Sequence, residues 1–131
     1  MADNYTQSSS LIIVPNDKMK LAREIIEKVR KESDDSEDFY CPDVKIESNG
    51  VWLYSEENFD PYGAEHLVRS LVEDLDLSGV HVVSWAYTCS KPRIDQFGGG
   101  AFAVKKGCDT LWIDAGEEAE KQALLLEGKN K

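Results

Sequence analysis

The chain has 131 residues, 41% of them hydrophobic and 31% charged, and a formal net charge of −10. That length supports one domain with its own core, and no disulfide or structural metal is needed to hold it. The longest apolar runs, residues 11–14 and 124–126, are too short to span a bilayer, and three cysteines without C-x-x-C spacing point to free thiols in a reducing cytoplasm.

No basic flank followed by an apolar stretch opens the sequence, so no secretory signal is expected. Residues 10–14 read as a short buried strand stopped by Pro15. Asn16 or Asp17 is placed to cap a helix, in which Leu21, Ala22, Ile25, Ile26 and Val29 recur at helical spacing. The acidic stretch 33–38 follows as a loop, and Pro42 bars an early return to helix. Val44-Lys45-Ile46-Glu47 and Val51-Trp52-Leu53-Tyr54 alternate on either side of Asn49-Gly50, which predicts a hairpin with a type I′ turn at that dipeptide. With that turn, Ser48 opposes Val51 and Ile46 opposes Leu53.

Asp60-Pro61 starts a second helix, with Asp60 as cap, proline in the first turn, and Ala64, Leu67, Val68, Leu71, Val72 and Leu75 on one face. Strands are expected at residues 80–88, 100–105 and 110–113, then a helix over 117–127 with a weak apolar stripe. The order predicts a single α+β domain over residues 1–131. Its first six elements form a ferredoxin-like β-α-β-β-α-β antiparallel sheet in spatial order 4-1-3-2, extended by two C-terminal strands and a last helix. Another strand order within an α+β sheet is the alternative.

In that topology, every long connection falls at the end where the first strand begins. These are the loop 33–43, the segment 55–60 and the loop 89–99. The opposite end keeps short turns. Long loops on a rigid scaffold carry recognition, so this bottom edge is the candidate site.

Charge concentrates in the same region. Residues 32–76 hold fourteen acidic and two basic residues, against four and six in residues 1–31 and seven of each in 77–131. Such a segment repels nucleic-acid phosphates, so no nucleic-acid partner is expected. It is either a solvated surface or a negative patch (Asp34, Asp35, Glu37, Asp38, Glu56 and Glu57) that faces a basic partner or mimics a nucleic acid.

The run 85–101 adds Cys89, Ser90, Lys91, Arg93, Phe97, Gly98, Gly99 and Gly100 as candidate partner- or ligand-binding residues. Lys91 and Arg93 either neutralise the neighbouring acidic loops or, with the glycine amides, hold an anion. The glycines fit neither phosphate-loop nor dinucleotide spacing and read equally well as a bulge entering a strand. Cationic neighbours would lower the Cys89 thiol pKa, but His66 and His81 fall too far away to serve as base. Paired carboxylates are abundant, but none stands in an otherwise apolar context that would raise a pKa, and the acidic loop lacks the glycine and terminal glutamate of a calcium loop, so no metal or cofactor is expected. Trp52, Tyr54, Trp85 and Tyr87 are expected together on the sheet face away from the first two helices. The last helix or a second subunit would cover them, which makes a homodimer one expectation.

The pattern W-A-x-T-C-S-K-P-R-x-x-x-F-G-G-G-A over residues 85–101 resembles uncharacterised small proteins of bacteriophages and bacterial mobile elements. The resemblance implies an intracellular, phage-related origin and carries no activity. The sequence thus reads as a non-enzymatic binding or inhibitory module that engages a protein partner through its acidic surface and the 89–100 loop. The alternative is an anion-binding or catalytic domain organised by Cys89, Lys91 and Arg93.

Overall fold

The computed structural model describes residues 4–89 and 98–129. In chain order the elements are β1 (Asn4–Ile13), a 3-10 turn (Asn16–Lys18), α1 (Met19–Asp34), β2 (Asp43–Glu47), β3 (Gly50–Ser55), α2 (Pro61–Asp74), β4 (His81–Cys89), β5 (Gly98–Val104), β6 (Leu111–Asp114) and α3 (Ala115–Lys129). The six strands form one antiparallel sheet in the order β2-β3-β1-β4-β5-β6. Its first four strands take the 4-1-3-2 arrangement, and β5 and β6 extend it beyond β4. The fold is α+β, as the pattern of elements predicts.

Alternation decides which side carries the core. Ile12, Val51, Leu53, Val83, Phe102 and Val104 share the helix-facing side and are each at most 1% exposed. From above them, α1 presents Ala22, Ile25, Ile26 and Val29, and α2 presents Ala64, Leu67, Val68, Leu71 and Val72. Burying a side chain of this size contributes roughly 1.5–3 kcal/mol, so these two apolar stripes fix the helices on the sheet.

Four local expectations need correction. The β2–β3 turn lies at Ser48-Asn49, with Glu47 opposite Gly50 and Ile46 opposite Val51. None of residues 48–50 takes positive φ, so there is no type I′ turn at Asn49-Gly50. Gly50 serves close approach instead: a Cβ there would sit 2.2 Å from the Ile12 carbonyl oxygen. The slip is two residues, so every side chain keeps its face. Secondly, neither Asn16 nor Asp17 caps α1 with its side chain. The chain leaves extended Pro15 through the 3-10 turn, and Lys18 reaches across to donate to the Leu75 carbonyl at 2.7 Å.

Thirdly, Trp85 and Tyr87 stand on the helix side. Val83 is the buried residue of β4 and Val82 is 54% exposed, so the odd-numbered residues point inward. Only Trp52 and Tyr54 stay on the open face, stacked with ring centroids 4.3 Å apart. Finally, Gly98, Gly99 and Gly100 pair in unbroken register with Tyr87, Ala86 and Trp85, so no bulge enters β5.

The two ends of the sheet differ. At the top, Arg69 bridges Glu73 at 3.1 Å and Thr110 at 2.7 Å, and Lys106 pairs with Asp76. The hydrogen bond from Lys106 holds the Asp76 carboxyl below the usual carboxylate range. The bottom is open and carries the long connections.

Candidate functional site

At the bottom edge, Asp60 organises the approach of two segments. Its Oδ1 accepts from the Tyr62 amide at 3.0 Å, capping α2, and its Oδ2 accepts from the Tyr40 amide at 2.7 Å. The Tyr40 backbone lies so close to the first turn of α2 that a Cβ on Gly63 would stand 1.8 Å from the Tyr40 oxygen. Ser33 Oγ adds an acceptor for the Cys41 amide at 2.9 Å. The second segment is pinned to β1: Thr6 donates to Glu57 O at 2.8 Å and the Phe59 amide donates to Thr6 O at 3.0 Å. Backbone hydrogen bonds of this kind hold loops without covering their side chains.

The sheet supplies aromatic rings below. Trp85 lies 6.2 Å from both Phe59 and Phe102 and 6.3 Å from Trp112 (ring centroids), and Tyr62 contacts Trp112 at 5.3 Å. Gly100 makes room for the indole, because a Cβ there would sit 2.7 Å from the Trp85 ring. Trp85 Nε1 is shielded from solvent and has no hydrogen-bond partner among the described residues. A buried donor left unpaired costs about 1–3 kcal/mol, and such groups are rare.

Together these parts form a cleft of about 1520 Å³ that wraps around the bottom of the sheet. Its rim carries Asp38, Asp43, Glu56, Glu57 and Asp60; Tyr40, Tyr62, Trp85, Tyr87 and Trp112 supply much of its wall. No basic residue lines it among the described residues. The arrangement is chemically suited to a cation, because carboxylates and aromatic faces both attract positive charge.

The sequence-derived candidates divide unevenly. Asp38, Glu56 and Glu57 line the cleft; Asp34 and Asp35 lie at the exposed end of α1, and Glu37 is exposed in the following loop. Gly98, Gly99 and Gly100 begin β5, where Gly98 pairs with the cleft residue Tyr87. Cys89 ends β4, opposite Asn4. Ser90, Lys91, Arg93 and Phe97 lie outside the described residues. Of the histidines, His81 stands apart from this edge, at the Ser78 carbonyl (3.1 Å), whereas His66 reaches the acidic loop: its ring centroid lies 4.9 Å from that of Phe39 and its Nε2 2.9 Å from Glu32, so the expectation of distance fails for His66.

Asp60, Tyr40, Tyr62 and Trp112 enter the cleft without having been singled out as site residues. A capping aspartate carries no mark of the second loop it will hold. The helix-side place of Trp85 was readable only by knowing which of Val82 and Val83 is buried.

Burial pushes the Cys41 thiol up to about 11, which keeps it protonated and unreactive at neutral pH. Among the described residues, no three His, Cys, Asp or Glu side chains converge as metal ligands, and no helix is long and apolar enough to cross a membrane. No family model, curated protein or solved structure matches the chain.

Proposed function

We propose that the chain is a non-enzymatic binding module whose bottom cleft receives a basic segment of a protein partner. One observation carries the reading: five carboxylates rim a cleft walled by aromatic rings, with no compensating cation among its described lining residues. Guanidinium and ammonium groups gain from both surfaces at once, roughly 0.5–1 kcal/mol per exposed ring contact and more when water is excluded.

The connection 90–97 is the second contact in this reading, because it joins strands that pair at Tyr87 and Gly98, and Tyr87 lines the cleft. An inhibitor that occupies a basic surface of its target fits the phage and mobile-element character that the 85–101 run resembles. Nothing in this function requires bond chemistry from the chain.

Backbone amide shifts measured during titration with an oligo-arginine peptide test the placement. The reading expects perturbations concentrated at residues 38–43, 54–62 and 85–87. Perturbations centred on the acidic residues of α3 would refute it.

A further inference from the structure

We propose that the bottom cleft selects arginine over lysine, with Tyr62 and Trp112 as the platform on which a guanidinium lies flat. The inference rests on the cleft reading above and deepens it. Rim carboxylates attract either cation, so charge alone does not choose between the two residue types. The rings make the choice.

Large aromatic side chains of the cleft stand open to solvent: Tyr62 is 70% exposed, Tyr40 68%, Trp112 41% and Tyr87 39%. Tyrosine and tryptophan gathered in one concave site are the residue types that dominate binding energy where proteins meet. Tyr62 and Trp112 lie against each other, ring centroids 5.3 Å apart and planes inclined at 41°.

The rest of the fold holds this pair in place. Trp112 lies opposite Phe102, which is 1% exposed, and their ring centroids are 5.2 Å apart. Trp85 reaches it from two strands away. It pairs with Gly100, whose missing side chain lets the indole pass over β5 and meet Trp112 edge-on at 6.3 Å and 64°. The Tyr62 backbone is tied by its amide to Asp60 at 3.0 Å. Rings already fixed in this way lose little conformational freedom when a ligand settles on them.

Chemistry then separates the two cations. A guanidinium is planar and weakly hydrated, so it stacks on a ring while its in-plane N–H groups point to carboxylates. An ammonium is a compact, strongly hydrated charge with no plane to match against a ring. The rim carboxylates therefore set the affinity for any cation, and the Tyr62–Trp112 platform sets the preference.

Isothermal titration calorimetry with oligo-arginine and oligo-lysine peptides of equal length and charge tests the preference. The parent chain should bind the arginine peptide roughly fivefold tighter, the gain expected from one or two stacked guanidinium groups. Tyr62→Leu alters a largely exposed side chain, so the fold should persist, as circular dichroism will verify. It should bring the two affinities within about twofold by weakening the arginine peptide alone. Trp112→Leu should act in the same direction. Asp38→Asn/Glu56→Gln/Glu57→Gln should weaken both peptides and preserve their ratio. Equal affinities in the parent chain would overturn the selectivity and leave the cleft reading standing. A ratio unchanged by both ring variants would overturn the platform. Binding of neither peptide would overturn the cleft reading and the selectivity together.

Discussion

Asp60 and Tyr40 stand twenty residues apart and are joined by a 2.7 Å hydrogen bond from the Tyr40 amide to a carboxylate oxygen that also belongs to a helix cap. The other oxygen of Asp60 caps α2 through Tyr62. One side chain thus starts a helix and fixes the acidic loop beside it, so stability and cleft shape are coupled at this residue.

Asp60→Ala should remove both bonds and cost about 2 kcal/mol, the sum of a lost cap and a lost loop anchor. Asp60→Asn keeps an oxygen for the cap and should cost less. Urea unfolding of the two variants measures the difference; equal losses would show that the cap to Tyr62 contributes nothing.

Gly63→Ala and Gly100→Ala should both destabilise, by about 1–3 kcal/mol. The new methyl group would strike the Tyr40 carbonyl oxygen in one case and the Trp85 ring and Ile113 oxygen in the other. Gly98→Ala is the control, because its nearest neighbour would be 3.6 Å away on the Tyr87 ring. Thermal melts should order the control above both variants.

Cys41 gives a signed dependence on pH. Its thiol pKa is raised from 9.0 to about 11 by burial, so the folded state favours the protonated form. A raised folded pKa stabilises below the unfolded value, and that contribution is lost as pH climbs toward the folded value. Stability should therefore fall between about pH 9 and pH 11, and Cys41→Ala should flatten that limb. At pH 8 the exposed Cys108 should react with iodoacetamide much faster than Cys41, as peptide mapping will report.

No appreciable binding to DNA or RNA is expected at physiological salt. The segment 32–76, with fourteen acidic and two basic residues, supplies much of the bottom edge, and phosphate binding depends on cations. Mobility-shift titrations with ordinary duplex and single-stranded substrates check this; micromolar binding would contradict it.

The architecture was legible where periodicity and punctuation agreed. The apolar faces of α1 and α2, the Asp60-Pro61 helix start and the alternation through residues 44–54 all point to the observed sheet. Legibility failed where one residue type serves two purposes. Gly50 looks like a turn residue but makes room for the Ile12 carbonyl, and β4 carries apolar residues on both faces. The bottom edge was predictable from connection lengths alone, and the cleft lies there. Its aromatic wall was not, because Trp85 and Trp112 meet only through the β4–β5 and β5–β6 registers.

The most direct test of the cleft is tryptophan fluorescence during titration with an oligo-arginine peptide, since Trp85 and Trp112 both line it. Two variants with the same charge change are compared: Asp38→Asn/Glu56→Gln/Glu57→Gln at the cleft and Glu117→Gln/Glu118→Gln/Glu120→Gln on α3. Three exposed carboxylates at about 0.5 kcal/mol each correspond to roughly a tenfold loss of affinity. The account predicts that loss for the cleft variant and little change for the α3 variant. Equal weakening in both, or no saturable binding by the parent chain, would contradict it.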